Sequence, residues 1–564
     1  MNRRQRRDAA RRQKQPRKTE AKLTRPLPRW CVILTAATLL GLFAGLSFWE
    51  MTGDTVTSDE RIHLPAGYAY WKKREFRLNP EHPPLVKLLC SAPLLAMNLS
   101  MPPAEPEPGL NYNEYQQVFG SQFLFKQNAD RIMFWGRLPA LAMGLLLAFF
   151  IFLWSWRLHG HAGAGSVSLA LVALEPTILA HSHYVTMDVP VACFSVMAMF
   201  FLWLFCRGGK TSHLVLASLG MAFALASKFS AIFLLPVFFL LLFVKFPPDD
   251  KDKSGRVSAV VPARTRLLVC AAVLAGISIV VQAFYFFSPD LLLYIKGVQQ
   301  VNLNHVPNYL FYIHGKFFQG GVWWYPIYTL ALKTAIPTII VIAVALVSFL
   351  KSGRNGGDFV FLLLPAGIFT LAVCAFADNL GVRYMIPVTV FLLVLAGRAF
   401  LSFSNSGKAR LWGGVLALWL VVSVLHASPH YISYFNEFIG GPSNAPYYLD
   451  DSNVDWGQDL KRLVEYLRGN HVSEVILSIW GPAPPEYYGD PAGIHFKPWT
   501  QAMARSSDPP AGIYAISVNN LVGIKRLIFS GADPNLDWLE RFKPVERVGY
   551  SIYVYRFPGV QSRR

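Results

Sequence analysis

The chain has 564 residues, of which 53% are hydrophobic, 14% aromatic and 15% charged, and its mean hydropathy is positive. Soluble domains carry roughly 25% charged residues, so the composition excludes an ordinary soluble globular protein. The formal net charge is +19, but twelve Lys or Arg between Arg3 and Arg29 face only Asp8 and Glu20, which concentrates +10 in the first 29 residues. A basic block directly before an apolar run is a topology signal and a contact for anionic lipid rather than a nucleic-acid site.

Trp30 to Trp49 form an apolar run of about twenty residues, long enough to span a bilayer. The long basic tail, with no small-x-small cleavage site after the run, reads as a retained anchor and not a secretory signal. Ten further apolar runs follow, near 132–156, 163–181, 189–206, 212–228, 230–246, 267–287, 326–350, 358–376, 385–402 and 411–428. The expected fold class is therefore an α-helical polytopic membrane protein with about eleven transmembrane helices. With the N-terminus cytoplasmic, every inner connection carries Lys or Arg: Arg157–His161, Arg207–Lys210, 245–266, Lys351–Arg354 and the Lys408/Arg410 turn. The outer connection His181–Asp188 carries neither, as the positive-inside rule requires.

This threading divides the chain into a basic cytoplasmic tail (1–29), a membrane domain (30–428) and an extracytoplasmic domain (429–564). Two longer outer loops, 51–131 and 288–325, interrupt the membrane domain. The last part reads as a small α/β unit. Asp455 is placed to cap a helix with Leu460, Leu463, Val464 and Leu467 on one face, and 474–480, 512–518 and 548–557 read as strands. Five of the six cysteines, all but Cys90, lie in apolar runs, and no disulfide or zinc pattern is present.

Charged residues within or beside membrane spans are functional candidates by default. The threading gathers Asp59, Glu60, His82, Lys87, Arg137, Asp188, Lys228, Lys333 and Arg383 at the outer face, which points to one polar site and not a path across the bilayer. Glu175, Lys351 and Arg398 fall elsewhere. The adjacent acids Asp59 and Glu60 have the chemistry to take a proton from an attacking hydroxyl or amine; a solvated loop or a helix N-cap is the plainer reading. His82-Pro83-Pro84 forces an extended turn, and Lys87 follows where it can snorkel to lipid phosphate. Lys228, Lys333 and Arg383 are further cations at outer span ends. Arg383, followed by Tyr384, is the strongest phosphate candidate because guanidinium grips phosphate oxygens bidentately. Arg137 needs a buried acid, for which Asp188 is one option. The turn from Asp450 to Asp459 has ligand types suited to Ca²⁺ but not EF-hand spacing.

Asp59-Glu60 followed by His82-Pro83-Pro84-Leu85-x-Lys87 resembles the protein O-mannosyltransferase family. More widely the chain resembles the phospholipid-carrier-dependent glycosyltransferases of the membrane GT-C class, which include the aminoarabinose transferase of lipid A. Asn79 to Pro84, Trp323-Trp324-Tyr325, Lys333-Thr334, Arg383-Tyr384-x-x-Pro387, Tyr434 to Glu437 and Asp455 to Leu460 carry the likeness along residues 50–470. The resemblance implies a GT-C fold and an inverting enzyme at the outer membrane face, using a polyprenyl-phosphate-sugar donor. It assigns Asp59 as catalytic base, Glu60 as its assistant, and Lys87 and Arg383 to the donor phosphate; Lys228 and Lys333, as cations at outer span ends, are expected to join them there. His82, Arg137, Asp188 and Tyr384 would contact substrate. No cofactor or metal is expected, and protein, lipid or glycan is left open as the acceptor. The chain lacks the large inserted carbohydrate-binding domain of the protein mannosyltransferases. A transporter or flippase for a lipid-linked or anionic substrate, or a non-catalytic membrane subunit, are the competing classes.

Overall fold

A computed structural model describes residues 28–103, 109–244, 262–304, 309–351, 357–499, 510–522 and 542–558. The basic tail, apart from Pro28 and Arg29, lies outside the described residues, as does most of the 245–266 connection.

Seven helices among these residues are long and apolar enough to cross a membrane: Arg29–Gly53, Ala129–His159, Asp188–Gly208, Ala263–Phe284, Gly357–Phe376, Val382–Phe403 and Gly407–Ala427. An eighth crossing is a broken pair, Tyr325–Lys333 and Ile336–Lys351, bent by 110°. The remaining three apolar runs are helical but short. The 163–181 run is divided at Glu175-Pro176 into Ala162–Ala173 and Pro176–His181, where proline suits a helix start but not its interior. The 212–228 run forms Thr211–Ser227, and the 230–246 run forms Phe229–Phe233 and Leu234–Leu241. The chain is thus a multi-pass α-helical membrane protein; among the described residues seven or eight helices are long enough to cross, where about eleven spans were expected.

The central spans Asp188–Gly208 and Val382–Phe403 are 72% buried over their apolar windows, whereas Ala263–Phe284 and Gly407–Ala427 are 17% buried. The first pair therefore forms the bundle interior and the second its lipid-facing rim. One continuous apolar cluster runs from Val32 through this bundle and includes Trp456 of the C-terminal part.

The sharp bend at Thr334-Ala335 leaves backbone groups without helical partners, which a membrane protein must satisfy internally. Asn436 does so: its Nδ2 donates to Ala331 O at 2.7 Å and Thr334 O at 2.9 Å. Lys333 Nζ donates to Ile432 O at 2.6 Å and Asn453 O at 2.5 Å, so the bend is tied to the C-terminal segment.

Beside the bundle, Glu60–Lys73, Leu85–Ser91 and Tyr112–Phe125 pack as short helices. Close approach is possible because Gly67 lies over Lys87 O and Gly120 over Arg61 O; an added Cβ would meet these oxygens at 2.1 and 2.0 Å. Pro65 has no N–H for Arg61 O, so that carbonyl is released from the helix ladder.

Strands β1 (Leu310–Ile313) and β2 (Lys316–Gln319) form an antiparallel hairpin through His314 and Gly315, both at positive φ. The C-terminal sheet contains β3 (Glu474–Ser478), β4 (His495–Pro498), β5 (Gly512–Ser517), β6 (Glu546–Val548) and β7 (Ile552–Phe557) in the order β4-β3-β5-β7-β6. Its β4-β3-β5 half is parallel and its β5-β7-β6 half antiparallel. Side chains alternate faces. Ala515, Ile552 and Val554 meet the Leu460–Gly469 helix, while Tyr514, Ile516, Tyr553 and Tyr555 join Phe311 of β1 and Tyr325 and Leu332 of the Tyr325–Lys333 helix. Both faces are covered, so the sheet is packed onto the rest of the chain. Leu460, Leu463, Val464 and Leu467 are buried as the periodicity requires, but the helix begins after Asp459. The Asp455 carboxylate instead accepts from Gly457 N and Asn519 N.

Candidate functional site

Thr55 and Ser58, which lead into the Glu60–Lys73 helix, are bonded to the C-terminal segment. Thr55 N and Oγ1 donate to Gln458 O at 2.7 and 2.9 Å, and Ser58 N donates to Trp456 O at 3.3 Å. Asp59 occupies the N-cap position, but its side chain makes no cap bond. Its carboxylate accepts from Arg383 Nη1 at 2.5 Å, joining residues 324 positions apart. The Asp59 side chain is 27% exposed and that of Arg383 is 9% exposed, so the pair lies at a rim. The guanidinium lies 4.5 Å over the Trp456 ring and 5.3 Å over Tyr384, and among the described residues its buried Nε has no hydrogen-bond partner.

Two histidines complete this cluster. His63 is one helical turn from Asp59, and its Nδ1 contacts Val185 O at 2.8 Å; its ring lies 5.1 Å from that of His82. Burial pushes the Asp59 carboxyl up, but the Arg383 guanidinium, with His63 and His82, holds it well below the usual carboxylate range. Burial pushes both histidines down, which favours neutral rings. Asp451, at φ 52°, brings a further acid near Arg383 and Asp59; burial raises its carboxyl to about 6 against the pull of Arg383.

The structure gives Glu60 different surroundings. Its fully buried carboxylate accepts from Arg137 Nε at 2.8 Å and Nη2 at 2.7 Å, from Thr57 N and Oγ1, and from Val185 N. The other Arg137 donors reach Met51 O, Asp54 O and Thr55 O. Arg137 thus pairs with Glu60 and fixes the loop beneath Asp59. Asp188, the option considered from sequence, pairs with Lys228 at 2.6 Å, and the Lys228 ammonium stands 4.4 Å over the Tyr384 ring.

Lys87 is fully buried and does not reach toward lipid. Its Nζ donates to Asn79 O at 2.6 Å, His82 O at 2.7 Å and Tyr70 Oη at 2.8 Å, and burial brings it down to about 7. It pins the Asn79–Pro84 turn that carries His82. Lys333 is likewise buried against backbone carbonyls. Of the four expected phosphate ligands, Arg383 and Lys228 stand together around Tyr384, while Lys87 and Lys333 have their ammonium groups enclosed.

Sequence reasoning missed two features. His63 follows Asp59 at i+4, a spacing that puts both on one helix face. Asp54 forms the hub of a buried network: Arg462 Nη1 donates to it at 2.6 Å and also to Asp459 at 2.6 Å. His183 Nε2 lies 3.2 Å from the same carboxylate, and Tyr184 Oη also donates to it. No local spacing joins residues 54, 183 and 462. Among the described residues, no group of three or more His, Cys, Asp or Glu is arranged to hold a metal ion.

No curated protein matches the sequence. Among solved structures, ArnT from Cupriavidus metallidurans in the apo state is 12% identical, with a TM-score of 0.48 over 93% of this chain and 97% of that chain. The same protein bound to undecaprenyl phosphate is 12% identical, with a TM-score of 0.47 over 95% and 99%. The S. cerevisiae protein O-mannosyltransferase Pmt1-Pmt2 complex bound to the sugar donor is 16% identical, with a TM-score of 0.31 over 50% and 35%. All three TM-scores lie below 0.5; a family model also matches the chain. That match is to the dolichyl-phosphate-mannose-protein mannosyltransferase model, and it covers residues 124–253, the segment that contains Arg137, Asp188 and Lys228.

Proposed function

We propose that the chain is an inverting glycosyltransferase that moves a sugar from a polyprenyl-phosphate-sugar donor to an acceptor at the extracytoplasmic membrane face. The observation that carries this reading is the Asp59–Arg383 pair at a partly open rim, beside Lys228 and Tyr384. Such a transfer needs a carboxylate to accept the acceptor's proton and cations to stabilise the departing phosphate. The two requirements meet in this pair, and the family match to residues 124–253 supports it.

In this mechanism Asp59 is the base. Arg383 holds donor phosphate through the donors that Asp59 leaves available, and Lys228 adds positive charge. When phosphate draws on the guanidinium, its pull on Asp59 weakens and the carboxylate becomes a stronger base. Glu60, Arg137 and Lys87 act as positioning residues: the first two fix the loop and the third fixes the His82 turn. Holding donor and acceptor in line supplies the rest of the rate. No metal enters this scheme. The chain sits in the inner membrane with its N-terminus cytoplasmic and with residues 429–564 beside the site outside. The acceptor is a lipid, glycan or protein.

Sugar transfer from radiolabelled polyprenyl-phosphate sugars in membranes tests the proposal. Wild type should label an acceptor, and Asp59→Asn should bind donor without transferring it. Undiminished transfer by Asp59→Asn would remove the base from this mechanism.

A further inference from the structure

Resting on the transfer reaction proposed above, we infer that the cavity beside His82 is a subsite for an uncharged sugar ring, with Gln300 and His82 binding its hydroxyls and Phe76 and Tyr285 its apolar face. The cavity has a volume of about 110 Å³, several times the roughly 10–15 Å³ that one ordered water needs. The Asn79–Pro84 turn walls one side and the Leu293–Asn304 helix the other. Aromatic rings run along the wall: Tyr70 lies 4.8 Å from Phe76, and Phe76 lies 5.1 Å from Tyr285. Gly297 lets the helix come close, since an added Cβ there would collide with the Phe229 ring and lie 2.7 Å from Pro80 O.

The polar groups are few and held in place. Gln300 Nε2 donates to Asn304 Oδ1 at 3.0 Å, Asn304 Nδ2 donates to Glu81 Oε1 at 2.6 Å, and Glu81 Oε2 accepts from Asn79 Nδ2 at 2.9 Å. This string ties Gln300 to the turn and leaves its amide a second N–H and a carbonyl oxygen. Among the described lining residues Lys296 is the one permanent cation, and Asp290 engages it at 2.5 Å; burial favours a neutral His82. A cavity of rings and prolines with one amide, one imidazole and no uncompensated charge suits the C–H and O–H groups of a sugar and not a phosphate. Its position fits the reaction. His82 stands 5.1 Å from His63, one helical turn from Asp59. Phe229, against Gly297, directly follows Lys228. The cavity therefore adjoins both the base and a phosphate cation.

Saturation-transfer NMR of the full chain, in nanodiscs free of glycosidic detergent, tests this with methyl pyranosides of mannose, glucose, galactose and arabinose. At least one should bind wild type. Its affinity should fall about five-fold in Gln300→Leu, the worth of one hydrogen bond, and Gln300→Trp, which fills the cavity, should abolish binding. If the ring is the donor's, the polyprenyl-phosphate form of that sugar should displace the glycoside and bare polyprenyl phosphate should not. Glycoside that stays bound against both assigns the ring to a glycan acceptor. The readout needs no turnover, so glycoside binding by a chain that transfers no sugar would keep the subsite and sink the reaction. No binding of any glycoside, equal binding by Gln300→Trp, or displacement by bare polyprenyl phosphate would overturn the inference.

Discussion

Asp59 stands at a helix start yet turns its carboxylate to a guanidinium 324 residues away, leaving its own helix uncapped. If it is the base, Asp59→Asn should lower turnover by about 10²- to 10⁴-fold, the usual worth of a positioned general base, with donor binding retained. The pH profile gives a separate check. Arg383 keeps the Asp59 carboxyl below the usual carboxylate range, so the acid limb of kcat/KM, which reports the free enzyme, should lie below about pH 4. Arg383→Gln removes that pull and leaves burial, which raises the carboxyl. Its acid limb should therefore move to higher pH, and KM for the donor should rise. An unshifted limb in Arg383→Gln would show that Asp59 does not titrate in the profile.

The elements around the site show which features could be read in advance. The Leu460–Gly469 helix was legible because its period of 3.6 is local, and β3, β5 and β7 because their alternation is local. β4, His495–Pro498, was not, since its mixed residues carry no alternation. The apolar run 163–181 looked like one span because composition does not register a break at Pro176. Cations were visible in the sequence but their environments were not: Lys87 is enclosed by carbonyls of the turn just before it, and Lys333 by carbonyls about a hundred residues away. Arg137 clearly needed an acid, but only the fold chooses Glu60 over Asp188. Removing that arginine isolates a buried carboxylate, so Arg137→Leu should destabilise by about 3–5 kcal/mol in a reversible unfolding assay. Lys87 gives a signed test. Its folded pKa, about 7, lies below its ordinary 10.5, so between these values the unfolded chain binds more protons. Stability should rise with pH across this window, be complete above 10.5 and fall away as pH drops through 7. In Lys87→Met this slope should vanish in thermal melts, along with stability lost from the stranded carbonyls.

Across the whole molecule, the C-terminal part braces the site directly. Trp456 lies under Arg383, Gln458 O receives two bonds from Thr55, and Arg462 bridges Asp54 and Asp459. If Asp59 is the base and Arg383 and Lys228 hold the phosphate, Arg462→Ala should lower turnover more than donor affinity, because it loosens the Asp59 loop without touching Arg383 or Lys228. Protease cleavage between residues 50 and 60 should quicken in the same variant. Equal cleavage of variant and wild type would show that the loop does not depend on this tie. The resemblance read from sequence reached Asp59, Arg383 and the 455–460 segment, but it did not show that these parts touch.

Three acids near the start of the first outer loop are paired with arginines made at widely separated times during synthesis. Glu60 is neutralised by Arg137, 77 residues later; Asp59 by Arg383, 324 later; and Asp54 by Arg462, 408 later. A nascent chain halted after the second span has settled only the innermost carboxylate, and the other two are still seeking counter-ions. The loop that carries Asp59 therefore gains its last counter-ion only once 462 of the 564 residues have been made. A product terminated before residue 462 lacks the arginine that locks Asp54.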